Sequence, residues 1–288
     1  MKTYFVVSDI HGFYTPLLAA LEDAGYDKND SNHFLIVLGD IFDRGKEPLE
    51  VYHFLRSIPS SRVVLVKGNH EYLLEELIDR RMPYNHDYHN GTYQTLIDLY
   101  KDPSIEKMNW LKENRDKYDD ITLVEASRRI YREVEEALYD NDIINEILSW
   151  ISSPIWHHYY ELGKYIFVHS FIPLEDRFGP KRYIHNWRES KDEYLWYNST
   201  WGCPYELYQD GYFKEEENKG KVLVCGHWHT SDFFNHLLYK NDKSKWLDYH
   251  ESNPLFISKK YPGIIAIDGC TAATNKVNVL VIKEEDLY

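Results

Sequence analysis

Five short apolar runs dominate what this chain can fold into: "YFVV" (4–7), "FLIVL" (34–38), "VVLV" (63–66), "YIFV" (165–168) and "VLVC" (222–225). Apolarity is continuous along each run instead of alternating, which predicts strands buried on both faces, as in the middle of an α/β sandwich. Between the early runs lie helical patterns, "PLLAALEDAG" with Pro16 in its first turn and Gly25 at its stop, and "PLEVYHFLRSI" opening at Pro48. Strand, helix, strand alternation of this kind predicts parallel βαβ units. The stretch "IWHHYYELGKYIFV" reads as a hairpin turning at Gly163, and "GIIAI" (263–267) with "VNVLVI" (277–282) reads as a second hairpin closing the chain.

Each of the five runs stops at a polar cluster: "SDIHG", "GDIFDRG", "GNHE", "HS" and "GHWHT". Ligands bind at the carboxyl ends of strands in open α/β sheets, so the five clusters are expected to converge on one site. Carboxylate, imidazole and amide oxygen without thiolate suit Mn, Fe, Zn or Co more than a structural cysteine site. Asp9, His11, Asp40, Asn69, His169, His227 and His229 are too many ligands for one ion, which points to two divalent metals sharing Asp40 as a bridge. Two ions roughly 3.5–4 Å apart hold a phosphoryl group and lower the pKa of a bound water from about 15.7 towards 7.

Taken together in this order, the five clusters resemble the signature of the calcineurin-like metallophosphoesterases, and "GDIFDRG" with "GNHE" is similar to the phosphoprotein phosphatase branch. That branch includes bacterial and phage serine/threonine phosphatases and symmetrical diadenosine tetraphosphatases. The resemblance implies a metallophosphoesterase β-sandwich of mixed sheets flanked by helices. It assigns Asp9, His11 and Asp40 to a first metal, and Asp40, Asn69, His169 and His227 to a second. It makes His70 the general acid, oriented by Asp43, and Arg44 a ligand of the phosphate oxygens. A second phosphate-binding arginine is expected after the fourth motif; Arg188 in "HNWRES" matches it best, ahead of Arg177 and Arg182. The sequence departs from the branch twice. Phe171 stands where a glycine is usual, and His229 is present as in the wider superfamily, where this histidine joins the first metal.

At 288 residues the chain is expected to be one domain, 1–288, with a mostly helical insertion at 72–153 that would act as a lid. The long loops at 171–220, dense in Tyr and Trp, and at 236–262, which carries Lys240, Lys243, Lys245, Lys259 and Lys260, are expected to be a packed surface loop and a solvated face. Nucleobase stacking is the alternative for the former. His157 and His158 are expected to stand apart from the site, with Cys225 in the core and Asp268 structural. Thirty-three basic against 47 acidic residues give a net charge of −14, which disfavours nucleic acid as a partner. Three cysteines without Cys-x-x-Cys spacing, and no apolar run of roughly 20 residues, predict a cytoplasmic chain with no membrane partner. The expected activity is hydrolysis of a phosphomonoester such as a phosphoprotein by metal-bound hydroxide, with manganese the first choice of metal and Fe, Zn, Co or Ni open. A dinucleoside polyphosphate is the alternative substrate, and a catalytically silent metal-binding interaction module the alternative of another class.

Overall fold

A computed structural model describes residues 1–100, 137–175 and 180–288. Strand β1 (Thr3–Val7) is followed by helix α1 (Tyr14–Asp23), β2 (His33–Leu38), α2 (Pro48–Arg56) and β3 (Val63–Val66). Helices α3 (Asn69–Arg80), α4 (Asn85–Asn90), α5 (Thr92–Tyr100) and α6 (Asp142–Ile151) lead to β4 (Trp156–His157), β5 (Tyr159–Leu162) and β6 (Tyr165–Val168). After the short pair β7 (Leu174–Glu175) and β8 (Arg182–Tyr183) come α7 (Glu193–Ser199), α8 (Pro204–Gln209), β9 (Val222–Cys225), β10 (Phe256–Ile257), β11 (Ile264–Ala266) and β12 (Leu280–Lys283).

The strands form two five-stranded mixed sheets, ordered β12-β1-β2-β3-β4 and β10-β11-β9-β6-β5. β1, β2, β3 and β4 run parallel with β12 antiparallel at the edge; β6, β9 and β11 run parallel between antiparallel β5 and β10. Successive side chains of a strand point to opposite faces, and here both faces are covered. Tyr4, Val6, Ile36, Leu38 and Val66 meet Phe167, Val224 and Ile265 between the sheets. Phe5, Val7, Leu35, Val37 and Leu65 turn the other way, onto a core that includes Leu17, Leu21, Val51, Leu55, Leu74, Leu77 and Leu96 of the helices. This double burial is why the strand sequences are apolar without a break.

The expected hairpin at Gly163 is present as β5 and β6, with Gly163 in the left-handed region at φ 57°. The expected hairpin at the chain's end is not. β11 lies between β9 and β10, so both its edges are occupied, and β12 pairs with β1 in the other sheet. A short helix, Thr271–Thr274, lies in the connection between the sheets. Within the expected insertion, Leu96 and Leu99 of α5 and Ile144, Ile147 and Trp150 of α6 are buried in the same core as the first sheet. Residues 101–136 of that insertion lie outside the described residues.

Candidate metal centre

β1, β2 and β3 of one sheet and β6 and β9 of the other end at the same edge of the sandwich, so Asp9, Asp40, Asn69, His169 and His227 follow them into one place. The backbone there is unusual. Asp9, His11, Asp40, Asp43, Arg44 and His227 all lie in the left-handed region, with φ between 50° and 71°. Such conformations cost of order 1–3 kcal/mol each and persist only where surrounding bonds hold them. Glu71 supplies part of that hold: its carboxylate accepts the N–H groups of Gly68 (2.8 Å), Asp40 (2.9 Å) and Ile41 (2.9 Å). Burial pushes the Glu71 carboxyl up to about 7, helped by the Asp40 charge and opposed by the three N–H groups. Two glycines admit the carboxylates. A Cβ on Gly68 would sit 2.2 Å from Asp40 Oδ1, and one on Gly226 would sit 2.2 Å from Asp9 Oδ2.

Among the described residues, two groups of ligating atoms come within 4.8 Å of one another: His11, Asp40 and His70, and Asp40, His169 and His227. Asp40 belongs to both, its Oδ2 lying 3.9 Å from His11 Nε2, 3.8 Å from His70 Nε2 and 3.4 Å from His169 Nε2. Asn69 Oδ1 stands 2.8 Å from His169 Nε2, and His227 Nδ1 stands 3.2 Å from it. Asp9 borders the second group through its Oδ2, which accepts the His227 N–H at 2.9 Å.

These donors fit a pair of divalent cations. His11 Nδ1 lies 3.0 Å from the Phe42 carbonyl and His169 Nδ1 lies 2.6 Å from the Leu38 carbonyl, so each ring donates there and keeps its Nε2 lone pair for the centre. Backbone carbonyls fix metal-binding histidines in this way. Without a cation the groups compensate one another. Burial disfavours the Asp40 charge, but His169 and His70 outweigh it and hold the carboxyl well below its usual range. Burial also disfavours a charged His169, yet Asp40 overrides that and lifts the imidazole to about 10. His227 is pushed down to about 3 by burial and by the neighbouring His169.

Beside this centre, His70 Nδ1 bonds Asp43 Oδ2 at 2.6 Å, and Arg44 places Nη1 2.7 Å from His11 Nε2 and Nη2 3.2 Å from His70 Nε2. The expected trio therefore stands together. Behind it, Thr92 and Thr95 of α5 donate to Asp43 at 2.6 Å and 2.7 Å. No residue pattern in "GTYQT" marks these two threonines in advance, whereas Glu71 was visible as the last letter of "GNHE".

Two of the expected site residues, Arg188 and His229, have other partners among the described residues. Arg188 is not brought to the centre: its Nε donates to Glu161 at 2.8 Å, its Nη1 lies 3.7 Å from Glu217, and its guanidinium covers the Trp187 ring. Two carboxylates already neutralise it. Arg182 is exposed on β8 and Arg177 lies outside the described residues. His229 joins neither group; its Nε2 faces Asp268 Oδ2 at 4.0 Å and its Nδ1 faces Asp232 at 3.8 Å. Burial and the Arg44 charge push His229 down to about 4. Phe171 sends its ring away from the strand ends into a buried cluster with Phe213. The aromatic loop mostly packs on the β5 hairpin, as Trp196 stacking on Tyr159 and His158 illustrates. Trp201, 41% exposed, stands edge-on to His227, whereas Tyr249, 46% exposed, is flanked by the His229 and His250 rings.

The family model of the calcineurin-like phosphoesterases matches residues 2–231, and the chain belongs to that family. Among curated relatives, a symmetrical bis(5'-nucleosyl)-tetraphosphatase of Buchnera aphidicola subsp. Acyrthosiphon pisum (strain Tuc7) is 34% identical over 118 residues, 39% of this chain and 38% of the relative. A symmetrical bis(5'-nucleosyl)-tetraphosphatase of Pseudomonas fluorescens is 28% identical over 163 residues, 51% of this chain and 53% of the relative. The chain thus spans about two fifths to half of the length of these relatives. Among solved structures, a cold-active protein-tyrosine phosphatase of a psychrophile Shewanella gives a TM-score of 0.46 at 14% identity, covering 100% of this chain and 79% of that one. A protein serine/threonine phosphatase from Saccharomyces cerevisiae gives 0.45 at 13%, covering 93% and 67%. Among the described residues no helix is long and apolar enough to cross a membrane.

Proposed function

We propose that this chain, a calcineurin-like phosphoesterase by family, uses two cations to hydrolyse a phosphoanhydride bond in a dinucleoside polyphosphate of the diadenosine tetraphosphate kind. The observation that carries the hydrolase reading is Asp40 shared between two histidine-rich groups, with His70, Asp43 and Arg44 beside them. Asp9, His11 and Asp40 would hold one divalent cation and Asp40, Asn69, His169 and His227 the other, with manganese the first candidate. When bound, such a pair neutralises phosphate oxygens and makes water acidic enough to serve as a nucleophile near neutral pH.

The remaining work falls to the protein's own groups. Arg44 turns from the two imidazoles onto the phosphate oxygens, where its planar fork matches two acceptors at once. That frees His70 Nε2 to carry a proton to the leaving oxygen, while Nδ1–H stays anchored on Asp43. Burial disfavours a charged His70, but Asp40 and Asp43 outweigh it and raise its pKa, which suits a proton donor. The nucleotide reading, the alternative at the level of sequence, now stands ahead of the phosphoprotein reading. It is supported by the relatives' activity and by Trp201, a 41% exposed ring beside His227 on which a base can stack.

The test is a substrate panel with Mn²⁺: diadenosine tetraphosphate, a phosphoserine peptide and p-nitrophenyl phosphate. Preference for the dinucleotide, lowered by Trp201→Ala, is expected. Preference for the phosphopeptide would return the phosphoprotein reading to first place. No turnover on any of the three with Mn²⁺, Co²⁺, Zn²⁺ or Ni²⁺ would favour the metal-binding interaction module.

A further inference from the structure

Asp43 is fully buried, and its N–H and both carboxylate oxygens have partners from outside its own loop. Oδ2 meets His70 Nδ1 at 2.6 Å and accepts the Thr92 hydroxyl at 2.6 Å. Oδ1 accepts the Thr95 hydroxyl at 2.7 Å, and the same Thr95 oxygen accepts the Asp43 N–H at 3.0 Å. Thr92 and Thr95 are as buried as Asp43, at 0% and 1% exposure. They sit three residues apart on α5, hence on one face of the helix. Gly91, just before them, has φ 88° and packs so tightly that a Cβ there would fall 2.7 Å from the Arg44 nitrogen. One turn of chain, 91–95, thus backs both Asp43 and Arg44.

A buried carboxylate is costly unless its acceptor sites are filled, and a bond to a neighbouring imidazole fixes only one of its two oxygens. With His70 alone as partner, Asp43 would remain free to rotate about χ2 and loosen its hold on the ring. The two hydroxyls remove that freedom. Thr95 also ties the Asp43 N–H to the Asp43 carboxylate, closing a small ring around a residue whose φ of 71° is otherwise unfavourable.

We propose that Thr92 and Thr95 are positioning residues that lock the Asp43 carboxylate, and through it the His70 imidazole, in the orientation needed for proton donation. The expected helical insertion thereby has a role beneath the site, from the side facing the core. The inference rests on the reading of His70 as proton donor, and its experiment separates the two.

Thr92→Val and Thr95→Val keep shape and lose the hydroxyl; Thr92→Ser and Thr95→Ser keep it. With Mn²⁺, the double Val variant should lose about 10- to 100-fold in kcat on phenyl phosphate, a share of what general acids contribute. On 2,4-dinitrophenyl phosphate, whose leaving group needs no proton, it should stay within about twofold of the parent chain, and the Ser variants should recover both rates. A readout free of turnover is the His70 Nδ1–H resonance in protein labelled with ¹⁵N-histidine, assigned with His70→Asn. It should appear at low field in the parent chain and the Ser variants, and shift or broaden in the Val variants. If the double Val variant fails to fold, the single ones carry the comparison. An unchanged resonance in a folded Val variant, or equal losses on both esters, would overturn the proposal. Should the parent chain turn over neither a phosphate ester nor diadenosine tetraphosphate, the hydrolase reading falls; in that case, or if only the dinucleotide is turned over, the resonance alone decides the role of the threonines.

Discussion

At the scale of single residues, Asp40 carries the most. Its Oδ2 is the one atom common to both ligand groups, so Asp40→Asn should lose at least one of two bound Mn²⁺ equivalents, counted by mass spectrometry of the metal after gel filtration; two retained equivalents would remove the bridging assignment. His70→Asn should keep both equivalents while losing about 10²-fold or more on esters with poor leaving groups, and an unchanged rate would deny it the acid role. His169, lifted to about 10 by Asp40 when no cation is present, is protonated at neutral pH. A cation must displace that proton, so Mn²⁺ affinity should rise with pH and binding should release protons, measurable by calorimetry in buffers of different ionisation enthalpy. The residues of the two ligand groups were legible because their chemistry is written beside a strand end, whereas His229, quoted in the same cluster as His227, joins neither group. Arg188 was not, since what decides an arginine's role is the company of Glu161 and Glu217, 27 and 29 positions away. Thr92 and Thr95 were not either, because two threonines on a helix face carry no sign of what they touch.

At the scale of elements, strands β1, β2, β3, β6 and β9 were readable because each is buried on both faces and so is apolar throughout. The pairing of β11 with β12 was misread for the same reason: a doubly buried strand does not say which sheet it joins, and β11 had no free edge left. The turn entering α3 is tightly packed at Gly68. Gly68→Ala should cost about 1–3 kcal/mol and weaken Mn²⁺ binding, because its Cβ would displace the Asp40 carboxylate; an unchanged urea midpoint and unchanged affinity would contradict the packing described here. By contrast Asn141, whose side chain accepts the Ile144 N–H at 3.1 Å to cap α6, is remote from the centre. Asn141→Ala should cost about 1 kcal/mol in chemical denaturation and leave metal content unchanged.

For the whole molecule, the centre spans the seam of the sandwich, with Asp9, His11, Asp40 and Asn69 contributed from one sheet and His169 and His227 from the other. Cations bound there would join the sheets, so Mn²⁺ at a hundredfold excess over its dissociation constant should raise Tm by on the order of 5 °C relative to protein with EDTA, and no rise would place the cations elsewhere. The same seam sets an order of events during synthesis. The bond from the His227 N–H to Asp9 joins residues 218 positions apart. A growing chain exposes Asp9, His11, Asp40, Asn69 and His70 early, long before His169 and His227 of the other sheet exist. It can neither load cations correctly nor close its second sheet until β9 leaves the ribosome. A chain truncated before residue 222 would keep Asp9, Asp40, Asn69 and His169 but lack His227 and strands β9 to β12, so chaperones and proteases should meet it as an unfinished fold rather than as a weaker enzyme.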